Sequence, residues 1–159
     1  MVAHALSTAQ PQAAAHPTRA FGRFELRRLL GKSAGTMVWL AFDPHSGAEV
    51  MLTLPRLQPA DARALEHWQR DVRLAARLDH PNLAKVAEVG VQDHWPFVAV
   101  DRGQGITLGE WLALHPSSKP ADVVGWVCDL LRGLAFAHEA GVAHLDPQLH
   151  SVLIDERGR

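Results

Sequence analysis

Judged by residue type alone, two groups of side chains in this 159-residue sequence could hold a metal or act as nucleophiles. The first is a histidine series, His138, His144 and His150, spaced six residues apart. Ligands must converge on one point, and a six-residue step across an expected helix-to-loop boundary gives them no common face, so no metal site is expected. The second is the one cysteine, Cys128. It has no second thiol to pair with, and it lies in an apolar stretch of helical spacing, which predicts a small buried core residue rather than a reactive thiol. The charges number 16 Lys plus Arg against 17 Asp plus Glu with no single-sign block. That balance argues against a nucleic-acid surface or an anionic-membrane patch.

Any site must be positioned by regular elements, and the apolar pattern supplies them. Residues 1–20 (MVAHALSTAQPQAAAHPTRA) have no sustained period and read as a flexible leader. Phe24, Leu26, Leu29 and Leu30 lead to Gly31, and a second run from Met37 to Phe42 follows, a hairpin pattern. The turn Asp43-Pro44-His45-Ser46-Gly47 precedes a third strand, Glu49 to Leu54, which Pro55 ends. Leu65, Trp68, Val72, Ala75 and Leu78 recur at helical spacing over 60–78, and His80-Pro81-Asn82 stops that helix. Two more strand-like runs, Leu83 to Val89 and Phe97 to Val100, flank the turn-like Gln92-Asp93-His94. After Gly103-Gln104-Gly105 the pattern becomes helical, with a short helix over 107–114 and a long one over 121–138. Val123, Val127, Leu130, Leu131 and Leu134 are its expected inner face. The reading is α+β, five antiparallel strands with one helix and then further helices. No run reaches the ~18 apolar residues of a membrane span, and no signal-peptide core is present, so a cytoplasmic location is expected.

Four motif regions in this order resemble the protein kinase family, in particular the bacterial kinases of the eukaryotic type. Leu30-Gly31-Lys32-Ser33-Ala34-Gly35-Thr36-Met37-Val38 lies where kinases carry the glycine-rich loop, and Val50-Met51-Leu52-Thr53 where V-A-I-K is expected. Asp71 precedes His80-Pro81-Asn82 by nine positions, as the acidic residue of kinase helix C does. Gly133-Leu134-Ala135-Phe136-Ala137-His138 leads through Gly141 into His144-Leu145-Asp146 and Val152-Leu153-Ile154, which is similar to the catalytic-loop region. The resemblance implies a kinase-like N-lobe over 21–100, a hinge over 101–105 and a partial C-lobe over 106–159, ending before the DFG segment.

Phosphoryl transfer requires positioned nucleotide and neutralised phosphate charge, and on this resemblance most of the groups that supply them are replaced. In the loop only Gly31 keeps its place; Ser33 and Thr36 stand at the second and third glycine positions. Thr53 replaces the third-strand lysine, and Lys32 is the one nearby cation that could substitute. Asp71, with no lysine to meet, is expected to be solvated or locally paired. Asp146 matches the catalytic base, whereas Gln148 and Ser151 replace the lysine and the metal-binding asparagine. Asp146 could equally brace the loop through backbone N–H groups. Leu145 removes the arginine that pairs with a phosphorylated activation loop. The adenine walls would be Leu30, Val38, Val100 and Leu153, with Asp101 to Gly103 as hinge and Met51 in place of a small alanine. ATP and Mg binding is therefore expected to be weak. The expected function is an inactive pseudokinase working through a protein partner or a missing C-lobe segment; the alternative is a truncated, atypical ATP-dependent Ser/Thr kinase.

Overall fold

The computed structural model describes residues 19–143 and 146–158. The expected leader thus lies outside the described residues, apart from Arg19 and Ala20, which open the first strand. His144, Leu145 and Arg159 lie outside as well.

The main sheet has six antiparallel strands rather than the five expected: β1 (Arg19–Phe21), β2 (Phe24–Lys32), β3 (Thr36–Asp43), β4 (Ala48–Pro55), β5 (Val86–Gln92) and β6 (Trp95–Asp101). Their order is β1-β2-β3-β4-β6-β5. The additional strand is a three-residue hairpin arm around Gly22, whose positive φ of 56° makes the tight turn into β2. Phe21 and Phe24, at the two sides of that turn, each meet Phe97 edge to face, at 5.7 and 5.3 Å between ring centres. The β5–β6 turn consists of Asp93 and His94, both at positive φ (49° and 63°), the two-residue form that suits strand twist.

Strands β4 and β6 are central and covered on both faces, which explains their unbroken apolar runs. One face builds the core of Phe24, Ala41, Val50, Leu52, Leu54, Phe97 and Ala99. Cross-strand register puts Val38, Leu40, Met51, Thr53, Val98 and Val100 together on the other.

Helix α1 (Ala62–Ala75) starts at Asp61, whose carboxylate accepts the Ala64 N–H at 2.8 Å. The helix is shorter than the 60–78 expected: Leu65, Trp68, Val72 and Ala75 are half-buried in it, most of the rest are exposed, and Leu78, also half-buried, lies beyond its end. In the His80-Pro81-Asn82 turn, the Asn82 N–H donates to His80 Nδ1 at 3.1 Å, and the His80 ring stacks on Phe136, 4.9 Å away. Gly133 lies against the same turn, where a β-carbon would come within 2.6 Å of the Asn82 carbonyl oxygen.

A short strand pair, β7 (Ile106–Thr107) with β8 (Leu153–Ile154), precedes and follows the helical part. Helix α2 (Leu108–Leu114) begins with a capping box: Glu110 N–H donates to Thr107 Oγ1, and Thr107 N–H to Glu110 Oε2 at 2.8 Å. Helix α3 (Pro120–Glu139) buries Trp126, Gly133 and Ala137, with Leu130 and Leu134 half-buried beside them. This corrects the expected inner face: Val123, Val127 and Leu131 lie on the open side, 41 to 58 % exposed. Cys128 is exposed too, against expectation, because it falls on that open side. Helical spacing defines two apolar faces here, and contacts at the Asn82 turn and at Gly158, whose carbonyl accepts the Trp126 Nε1–H at 2.8 Å, decide which is covered. No helix among the described residues is long and apolar enough to cross a membrane.

Candidate functional site

The anticipated nucleotide residues are brought together only in part. Val38, Met51, Thr53 and Val100 share one sheet face, with Thr53 flanked by Val38 and Val98, and Met51 by Leu40 and Val100. Val38 and Met51 are 4 and 5 % exposed, covered by protein. Leu30, also expected as a wall, is the extra residue of a β-bulge between Leu29 and Gly31. Leu153 lies opposite Thr107 in the small sheet.

In the β2–β3 hairpin Ser33 and Thr36 bond each other. Ser33 N–H donates to the Thr36 carbonyl at 2.9 Å, Thr36 N–H donates to Ser33 Oγ at 3.2 Å, and the two hydroxyls are 3.1 Å apart. Arg56 closes the loop from the end of β4, with its N–H on the Gly35 carbonyl (2.8 Å) and its guanidinium on the Ser33 carbonyl (3.3 Å). A phosphate-cradling loop needs such N–H groups turned outward. Gly31 is closed from the other side by the imidazole of His150: a β-carbon there would lie 2.2 Å from Nδ1 and 2.4 Å from Cγ.

The residues after position 145 are similarly engaged. Gln148 Nε2 donates to the Asp146 carboxylate. Ser151 caps the 3-10 turn over Leu149–Ser151: its Oγ accepts the Gln148 N–H at 2.9 Å and its hydroxyl and N–H both donate to the Gln148 carbonyl. Asp146 is exposed. Asp71 is exposed as well and lies 3.4 Å from His67 Nε2, one turn earlier on the same helix. It is a locally placed carboxylate, as anticipated.

Sequence reasoning missed the polar network behind the hinge. Arg102, in the segment between β6 and β7, donates through Nε to the Gly105 carbonyl at 2.7 Å and reaches Glu49 and both Glu110 oxygens at 3.3–3.4 Å. Arg28 also holds Glu110, and Arg27 bonds Glu49 at 2.7 Å. Burial would raise the Glu110 carboxyl, but the Thr107 N–H and hydroxyl with Arg28 and Arg102 outweigh it and hold the group below the ordinary carboxylate range. The Thr107-x-x-Glu110 spacing was the one readable signal. Asp101 makes the adjoining turn by accepting the Gly103 N–H at 2.8 Å, with Gly103 at φ 55°. Across the sheet, buried Asp43 accepts a two-pronged pair from Arg23 (2.8 and 3.1 Å) and the His45 N–H, which together depress its pKa to about 2.

The chain superposes on the kinase domain of PknI from Mycobacterium tuberculosis with a TM-score of 0.63 at 28 % identity, covering 91 % of this chain and 60 % of that one. It has the protein kinase fold. Curated relatives agree: it is 27 % identical to the Ser/Thr protein kinase PrkC of Bacillus subtilis over 141 residues and 28 % identical to PksC of Streptomyces coelicolor over 146. No family model matches. The homologues are bacterial Ser/Thr protein kinases, of whose length the chain spans about a quarter: 22 % of PrkC and 26 % of PksC. The positions expected for the glycine-rich loop, helix C and the end of the catalytic loop fall on β2–β3, α1 and Leu149–Ser151.

The residues present do not fit Mg-ATP. On the likeness to kinases, a neutral threonine stands in place of the phosphate-binding lysine, Ser151 is spent on its own turn, Gln148 is on Asp146 and the Ser33 and Thr36 N–H groups are bonded within the hairpin. No phosphoryl-transfer step can be assigned to them.

Proposed function

We propose that this kinase-like chain works without phosphotransfer, as a protein-interaction or regulatory module, and binds nucleotide weakly. The observation that carries this is Thr53: it is fixed by register at the centre of the cleft face between Val38 and Val98, and the helix C carboxylate of Asp71 is turned to its own helix and solvent. Without a lysine–carboxylate pair the family's usual means of offsetting α- and β-phosphate charge is missing. A ligand that binds the folded state raises its melting temperature in proportion to RT ln(1 + [L]/Kd). Millimolar ATP should therefore shift melting little, and Mg should add nothing. A large shift that depends on Mg would overturn this reading. The second reading, a truncated, atypical ATP-dependent Ser/Thr kinase, draws on the partial span: the chain covers 60 % of the PknI kinase domain.

A further inference from the structure

We propose that His150 is a built-in plug, an autoinhibitory contact that holds the cleft shut against nucleoside triphosphates and must leave before one can enter. The inference rests on the weak-binding reading above and assigns it a cause in one side chain.

The imidazole lies directly on the α-carbon of Gly31, and the 2.2 Å approach of a hypothetical β-carbon means that only glycine accepts the ring there. Gly31, the one loop glycine in its family position, thus serves contact with a side chain where a kinase would use it for phosphate. The ring and a phosphate compete for the same stretch of backbone.

The turn that carries His150 is anchored. Ser151 and Gln148 bond each other across it, Leu108 N–H donates to the Val152 carbonyl at 2.8 Å, and Leu149 packs beside Gly109 at the start of α2. On the opposite side Gly31 is paired with Val38 in the sheet. The two partners therefore come from separately braced elements. Rotation of the imidazole is the smallest movement that frees the loop.

The test uses the full chain, with ATP as the probe. Calorimetric titration of His150→Ala should give an affinity at least about tenfold above the parent, the factor expected when the open state is populated at ~10 % or less. Equal affinities, or tighter binding by the parent, overturn the plug. A second arm needs no nucleotide: Gly31→Ala should lower the denaturation midpoint of the parent markedly and that of His150→Ala little, because the clash partner is gone. Equal losses in both backgrounds also overturn it, and His150→Asn serves if the alanine variant does not fold. Phosphate transfer separates the two readings. A His150→Ala protein that gains ATP but transfers no phosphate supports the plug and leaves the proposed function standing, whereas transfer by the parent removes that function.

Discussion

Replacing Arg102 by Met should destabilise the chain more than any other single change at the hinge. The side chain is 7 % exposed, and its strongest contact is the 2.7 Å bond to the Gly105 carbonyl; two carboxylates, Glu49 and Glu110, complete its shell. Met keeps much of the stem's volume and removes only the donors. A hydrogen bond involving a charged group contributes about 1.5–3 kcal/mol, and breaking a buried pair about 3–5 kcal/mol. Glu110, at 16 % exposure, keeps Arg28 and Thr107 after the change, which places the loss at the lower end, about 2–3 kcal/mol. Arg27→Met, which breaks an exposed pair to Glu49, should cost under about 0.5 kcal/mol. Urea unfolding followed by tryptophan fluorescence reads both, with a lower midpoint and unchanged slope. The pH dependence has a defined sign. Because the Glu110 carboxyl is held below its ordinary range, its contribution is complete at neutral pH and is lost as pH falls through the folded value, so the Arg102→Met deficit should shrink in acid. Two variants of equal stability, or a deficit that grows in acid, would refute the network as the element that fixes the hinge.

Asp43 gives a second acid signature: its pKa is lowered from 3.8 to about 2, so its contribution is present above pH 3.8 and disappears as pH falls through about 2. Asp43→Asn should be less stable than the parent by about 2 kcal/mol at neutral pH and converge with it near pH 2, as measured by melting across that range. The open side of α3, with Val123, Val127 and Leu131, forms an apolar stripe of the kind that soluble monomers seldom expose, so this 159-residue chain should self-associate with rising concentration. Val127→Lys with Leu131→Lys should shift light scattering toward monomer; a parent that stays monomeric at high concentration contradicts this.

Much of the architecture was legible because period and turn chemistry agree. The alternation up to Gly31, the Asp43–Gly47 turn, the Asp93-His94 turn and the spacing of Leu65 to Leu78 each specify one local structure. The sixth strand was not, since three residues have no measurable period and Arg19–Phe21 is defined by its pairing with β2. The covered face of α3 was ambiguous for another reason: both faces are apolar, and the choice depends on where Asn82 and Gly158 dock. At the site, the replaced charges could be read from single positions. The approach of His150 to Gly31 could not, because it joins segments far apart in the chain with no spacing rule between them, and the local bonds of Gln148 to Asp146 and Ser151 depend on the side-chain conformations of that turn.

Transfer of labelled phosphate decides whether the chain has phosphotransferase activity. The chain is incubated with Mg-ATP, alone and with a generic basic protein substrate, beside an Asp146→Asn control. Loss of one preorganised charge-stabilising group costs about 10²–10³ in rate, and here the positions at Thr53, Gln148 and Ser151 are all altered. No label above the control is expected on either protein. Incorporation by the parent that vanishes in Asp146→Asn would contradict it.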